Sequence, residues 1–196
     1  MPRSEKGLPG LVERFGMWLV RLIVSKLPKF ARVLEQVLCE QRVSQIREHA
    51  ITFMLECLRH ELIALNARLA LSDLRANLML LQPNGNLRMV YTSGDYSLAE
   101  KQLEWREGIG CCGMAWARKK PTVTDIEDTE RLPPPHKEVV RHVQSVLSVP
   151  LRRRTTGEWI GVLNVDALKP LEQSCLGEPE VRDAVVRYAL GIELLL

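Results

Sequence analysis

A chain of 196 residues, 46% hydrophobic and 26% charged, has the makeup of one folded domain with an extension and can bury a substantial core. A net charge of +3, with no dense basic surface interleaved with aromatics, gives no ground for a nucleic-acid partner. Five cysteines, odd in number and irregularly spaced, make no disulfide framework and point to a reducing, cytoplasmic compartment.

The N-terminal stretch Leu8 to Phe30 is rich in apolar residues, but its longest run without a charge is Phe15 to Val20. That falls short of the ~18 to 20 apolar residues that span a bilayer, and no small-residue cleavage site marks a secretory signal. Leu11, Phe15, Trp18, Leu19 and Leu22 recur at helical spacing, with Arg14, Arg21 and Ser25 toward another side. Residues 1–29 therefore read as an amphipathic helical extension. Its apolar face suits packing on this protein or a dimer mate, and residues 8–29 equally suit a peripheral membrane or protein partner.

Pro28 separates this extension from a second helical region, Phe30 to about Leu71, in which 30–44 reads as a linker. Ile51, Leu55, Leu58, Leu62, Leu65 and Leu69 alternate four and three apart, an a/d stripe for shallow helix packing. Gln41, Ser44 and Glu48 interrupt the stripe and mark a bend or boundary between about 40 and 49. Leu74 to Gln82 reads as a strand, Asn84-Gly85 as a two-residue hairpin turn and Leu87 to Thr92 as the returning strand. A helical turn over Ser97 to Gln102 and a third strand, Leu103 to Glu107, follow.

From Trp105 to Asp128 the chain reads WREGIGCCGMAWARKKPTVTDIED. Its glycines permit a tight turn into a helix over Cys111 to Lys119, whose first amides, Gly110 to Gly113, can cap a polar or anionic ligand atom. Pro121 ends that helix, and Thr122 to Thr124 is β-rich. A stiff loop, Glu127 to His136, carries three consecutive prolines, and Lys137 to Val143 reads as a short roof helix. Strands at Val146 to Arg153 and Trp159 to Ala167 flank the turn Thr155-Thr156-Gly157-Glu158. The last helix starts near Pro179, with Val181, Val185, Tyr188, Ile192 and Leu195 repeating the seam.

The order predicts an α+β fold. Five or six antiparallel strands carry helices 45–69 and 179–195 on one face, while short helices and the proline loop roof a pocket bounded by residues 103 to 148 on the other. Mates of the two long helices in a second chain would complete a four-helix bundle, hence a homodimer.

The segment G-I-G-x-C-G-x-A-x-x-x-x-x-P-x-x-x-D-I from Gly108 resembles the middle of a GAF domain, a small-molecule sensor module. Ser145-Val-Leu-Ser-Val-Pro-Leu151, Gly161-Val-Leu-Asn-Val-Asp166 and the earlier R-A-N-L-M-L-L extend the resemblance over about 45–196. It implies a regulatory, non-catalytic module that binds a small ligand and signals through dimer-forming terminal helices. One branch of the family, the free methionine-R-sulfoxide reductases, is enzymatic and has a cysteine where Cys112 stands. Those enzymes carry a catalytic cysteine in the segment matching 126–144, which has none here. Their pocket carboxylates fall at Val146, Asn164 and Asp166, so one of three remains.

Candidate site residues follow from both readings. Asn164 and Asp166 share one side of their strand, with Ser148 beside them on its neighbour if the hairpin is short. With Gly110 of the glycine turn they would suit a small ligand bearing amine or hydroxyl groups. Trp105 and Trp116 could supply an aromatic wall, and His142 lies on the roof helix facing the pocket. Cys111 and Cys112, at a helix N-terminus, are either thiols of lowered pKa or small buried apolar residues. No histidine or cysteine spacing suits a metal, and the sequence names no cofactor. Three functions remain open: a ligand sensor, a thiol-redox enzyme, and a ligand-free dimerising scaffold.

Overall fold

The computed structural model describes residues 9–125 and 131–196, with side chains from Glu35 onward. The chain divides into two compact units, Met1–Ile46 and Arg47–Leu196. The expected amphipathic face over 8–30 lies outside the described side chains. Helix α1 (Pro9–Leu65) runs through Pro28, so the expected break there does not occur. A proline removes one intrahelical bond, about 3 kcal/mol, and a helix of 57 residues carries that loss. In the first unit Val37, Leu38, Val43 and Ile46 are exposed.

In the second unit α1 ends earlier than its leucine periodicity suggests. The Asn66 side chain donates to Gln173 O (2.9 Å), turning the chain out of the helix at Leu65. Ile51, Leu55, Leu58 and Leu62 are fully buried, Leu69 stays buried beyond the helix end, and Leu65 is 45% exposed. Six strands follow: β1 (Leu74–Leu81), β2 (Leu87–Ser93), β3 (Glu104–Trp105), β4 (Thr122–Thr124), β5 (Ser145–Arg152) and β6 (Trp159–Ala167). They form one antiparallel sheet of order β3-β2-β1-β6-β5-β4.

Side chains alternate across this sheet. Leu74, Ala76, Leu78, Leu147, Val149, Leu151, Leu163, Val165 and Ala167 pack with the α1 seam and with Val181, Val185, Ala189 and Ile192 of α6 (Pro179–Glu193). The opposite face carries a smaller apolar cluster of Met79, Leu87, Trp105, Cys112, Ala115, Trp116 and Val162. Over it lie α2 (Leu98–Gln102), α3 (Gly110–Arg118) and α4 (His136–Val140); α5 (Leu171–Ser174) leads into α6.

Three local expectations change. The β1–β2 turn is longer than two residues: Gln82 O accepts from Gly85 N (2.9 Å), and Gln82 N reaches Asn86 O (2.8 Å). Pro83 suits the first corner of such a turn, and Gly85 takes the positive φ of 83° at its close. Strand β3 keeps only two of the five expected residues, because Ile109 N bonds back to Arg106 O and Gly108 N to Gly113 O. The roof helix spans His136–Val140 rather than 137–143, and Val143 drops into the core.

The burial pattern predicts a sharp contrast along α1. Leu58→Ala should cost about 3 kcal/mol in chemical denaturation, whereas Leu65→Ala should cost under about 0.5 kcal/mol.

Candidate functional site

Three strands put polar side chains in rows on the face away from the long helices. Pairing aligns Arg75 with Asp166 and Val146, and Asn77 with Asn164 and Ser148. These residues sit in the middle of the sheet, and Asn77 and Ser148 have no solvent exposure. A polar group buried this deeply has to be hydrogen-bonded.

The hydrogen bonds run in one direction. Ser148 Oγ donates to Asn164 Oδ1 (2.6 Å), and Asn164 Nδ2 donates to Asn77 Oδ1 (3.0 Å). Asn77 Nδ2 donates to the Tyr96 hydroxyl (2.9 Å), which donates to Asp166 Oδ2 (2.9 Å). Asn77 Nδ2 and Arg75 Nη2 also reach Asp166 Oδ2, each at 3.4 Å. Tyr96, Asn77 and Arg75 thus all meet the same carboxylate oxygen. Among the described residues none meets Asp166 Oδ1.

Arg75 anchors the second row. It is 4% exposed, and its Nη1 bonds Glu100 Oε1 (2.8 Å) and Asp95 O (2.9 Å). His142 Nε2 lies 3.1 Å from both Arg75 Nη1 and Glu100 Oε1. The guanidinium stacks 4.2 Å from the Tyr96 ring centroid. Gly94 makes room for it: a Cβ there would lie 3.1 Å from Arg75 Cγ, and the residue's φ is +95°. Glu100 also closes the α2 capping box, accepting from Ser97 N at 2.7 Å.

The charges are not balanced: two buried carboxylates, Glu100 and Asp166, face one guanidinium. Burial works to raise the Glu100 carboxyl, but the Ser97 amide and Arg75 hold it below its usual range. Burial pushes the Asp166 carboxyl up in spite of Arg75 and Tyr96.

Asp166 stands at one end of a cavity of about 360 Å³ between the sheet, α3 and the roof. Glu100, Tyr96, Asn164 and Thr124 complete its polar lining with Asp166, and Arg131 also reaches the wall. The rest is apolar: Met79, Met89, Leu103, Trp105, Ile109, Met114, Leu132, Pro133, Val140, Val143 and Val146. Gly110 permits the α3 N-terminus to press on Trp105, since a Cβ there would sit 2.5 Å from Trp105 Cζ3.

Of the nine residues singled out from the sequence, Trp105, Gly110, Cys111, Cys112, Asn164 and Asp166 line this cavity. Three do not. Trp116 faces the smaller core, with Lys119 Nζ 3.3 Å from its ring centroid. Ser148 lies beneath Asn164 and orients it. His142 belongs to an adjoining groove lined also by Arg59, Arg75, Gly94 and Lys101, which shares Tyr96 and Glu100 with the cavity.

Of the two readings of the cysteines, thiols of lowered pKa or small buried residues, the structure has the buried one. Burial pushes the Cys111 thiol up to about 11, and the Cys112 thiol rises as well, from burial and from Cys111 beside it. Cys111 Sγ donates to Thr122 O (3.1 Å). Both are therefore thiols rather than thiolates at neutral pH. Among the described residues no group of His, Cys, Asp or Glu could hold a metal ion, and no helix is long and apolar enough to cross a membrane.

The sequence reading missed Arg75, Asn77, Tyr96 and Glu100. Arg75 and Asn77 did leave a signal, two polar residues at alternate positions in an otherwise apolar central strand.

No protein-family model and no curated protein matches the chain. Solved structures do. The GAF domain of an Acinetobacter phosphoenolpyruvate-protein phosphotransferase aligns over 82% of this chain and 91% of its own, with TM-score 0.58 and 15% identity. The GAF domain region of a Geobacter sulfurreducens PCA protein aligns over 79% and 95%, with TM-score 0.55 and 18% identity. The free methionine-R-sulfoxide reductase of Staphylococcus aureus, in complex with substrate, aligns over 80% and 94%, with TM-score 0.51 and 19% identity. The fold is GAF-like, shared with GAF domains and with a free methionine-R-sulfoxide reductase.

The Arg75 cluster gives a direct test. Arg75→Met leaves two buried carboxylates without their cation and should cost about 3–5 kcal/mol at neutral pH. Losing the cation raises the folded-state pKa of both acids, so the deficit should be largest at high pH and shrink as pH falls and they protonate. Urea unfolding at several pH values reads this.

Proposed function

We propose that the protein is a non-catalytic, ligand-responsive regulatory module: a small molecule bearing an amine or hydroxyl group enters the cavity, and occupancy is passed to the paired long helices. The observation that carries this reading is Asp166, a buried carboxylate whose Oδ1 has no donor among the described residues, at the polar end of an apolar cavity. Trp105, Gly110, Cys111, Cys112 and Asn164 complete the wall it would meet.

A route from the cavity to α1 supports the regulatory part. Arg75 touches Asp166 at one end and packs on Gly94 along its stem. The neighbouring Ser93 hydroxyl bonds Glu56 and Arg59 of α1. Arg59 also donates to Leu74 O (2.8 Å) at the start of β1 and to Leu71 O (2.7 Å) in the turn before it. A shift of Arg75 on ligand binding has α1 as its next rigid neighbour.

Helix α1 in turn meets α6. Arg187 pairs with Glu61 (2.7 Å), and a Cβ on Gly191 would lie 2.5 Å from Met54 Cε. Phe53 on α1 and Leu190 and Leu194 at α6 remain 69%, 50% and 67% exposed. A second copy, packing the same two helices, would cover them and form a homodimer. Phe53→Glu should then convert a dimer to a monomer in native mass spectrometry without changing the far-UV circular dichroism; a monomeric wild type would end the dimer proposal.

The reductase reading is disfavoured by the chemistry of its thiols. A nucleophile should be a thiolate within reach of a resolving cysteine, whereas Cys111 and Cys112 are buried and protonated. No turnover of free methionine sulfoxide is expected. Turnover that Cys112→Ser abolishes would reverse the assignment.

A further inference from the structure

We propose that the cavity takes a compact monoamine with an apolar body, its ammonium seated on Asp166 Oδ1 and its body among Met79, Met89, Leu103 and Trp105. The inference rests on reading the cavity as a ligand site and names the class of ligand.

Hydrogen-bond accounting at the polar end selects the head group. Glu100 spends Oε1 on Arg75 and His142, and Oε2 on the Ser97 amide. Asn164 accepts from Ser148 and gives one of its two amide hydrogens to Asn77. The Tyr96 hydroxyl accepts from Asn77 and donates to Asp166 Oδ2. Of the carboxylate, amide and phenol oxygens of this network, Asp166 Oδ1 is the one with no donor among the described residues. A ligand must bring a donor there.

Charge narrows the choice further. Arg75 balances only one of the two carboxylates, so the network itself is net negative at Asp166, with Arg131 as a further cation of the cavity wall. An alcohol would satisfy the acceptor and leave that charge. An ammonium satisfies both, and a charge-assisted hydrogen bond in a low-dielectric wall is stronger than a neutral one. A carboxylate seated against Asp166 would add to the repulsion.

Volume and lining set the body. A cavity of about 360 Å³ has room for about a dozen non-hydrogen atoms, taking roughly 30 Å³ for each as for liquid water. Methionines supply three of its walls, Met79, Met89 and Met114, and their flexible thioethers adapt to flat or branched apolar shapes.

Four probes of similar size separate the possibilities: 2-phenylethylamine, 2-phenylethanol, 3-phenylpropanoate and phenylalanine. Binding would be followed through ¹³C-methyl methionine signals in the wild-type protein. The amine should perturb Met79, Met89 and Met114 but not Met54, which packs on α6. It should bind at least about tenfold more tightly than the alcohol, the worth of one charge-assisted bond. Asp166→Asn, which keeps the oxygen that Tyr96 needs, should abolish that preference.

An alcohol, propanoate or zwitterion that binds as well as the amine would overturn the monoamine assignment and leave the ligand site standing. Amine binding that survives Asp166→Asn would overturn it too. Should the variant not fold, the probe series and the methyl map in wild type decide alone. If no probe moves the three cavity methyls, the ligand-site reading falls as well.

Discussion

The pairing register of β1, β6 and β5 is the constraint on which the site depends. It sets Arg75 opposite Asp166, and Asn77 opposite Asn164 beside Ser148. Because side chains alternate with period two, a one-residue slip of β6 would send Asn164 and Asp166 into the long-helix core and bring Leu163 and Val165 into the cavity. The slip is opposed on both faces at once. The helix side offers only apolar neighbours to Leu163 and Val165, and the cavity side offers a hydrogen bond to each polar atom of Asn164. Gly161 guards the same register further along, for any side chain there would meet the Met79 carbonyl.

Holding that register has an electrostatic consequence. Burying one guanidinium between two carboxylates is tolerable only when each charge is hydrogen-bonded, and most of the donors in reach converge on Glu100 and on one oxygen of Asp166. The result is a rigid polar floor with its residual negative charge at the cavity surface. The Asp166 carboxyl, pushed up by burial, is the group that feels this imbalance. The unequal treatment of its two oxygens is a property of the fold, since the donors come from β1 and from the loop leading to α2.

Much of the architecture was legible in the residues. The leucine seam of α1 and the valine–isoleucine seam of α6 announced two helices on one face, and both proved buried at Ile51, Leu55, Leu58, Leu62, Val181, Val185 and Ile192. Period-two alternation placed Asn164 and Asp166 on the same side, and the short hairpin brought Ser148 next to them. Trp116 shares an i, i+3, i+4 stripe of α3 with Cys112 and Ala115 and packs in the smaller core, to which Trp105 of β3 also belongs. What could not be read was depth and distance. Arg75 meets Asp166 across 91 positions of sequence. The direction of the cysteine pKa shift turned on burial, which outweighs the helix terminus and is not written in the local sequence.

The polar floor also joins two regions that the sequence showed separately. Tyr96 and Glu100 form a partition, lining the cavity on one side and, with Arg59, Gly94 and His142, the adjoining groove on the other. Arg75 threads this partition and touches both carboxylates, the Asp95 carbonyl and His142. Nothing in the cavity can draw on Asp166 without changing the balance of forces on Arg75, because the two charges share one low-dielectric environment. Arg75 follows Leu74, whose carbonyl holds Arg59 of α1, so the distance from ligand site to helix is one residue of β1 and one side chain. A regulatory role needs such a link between site and helix. Here such a link is built from the same residues that keep the sheet in register, so under the proposed function any response to a ligand would be tied to the stability of the fold itself.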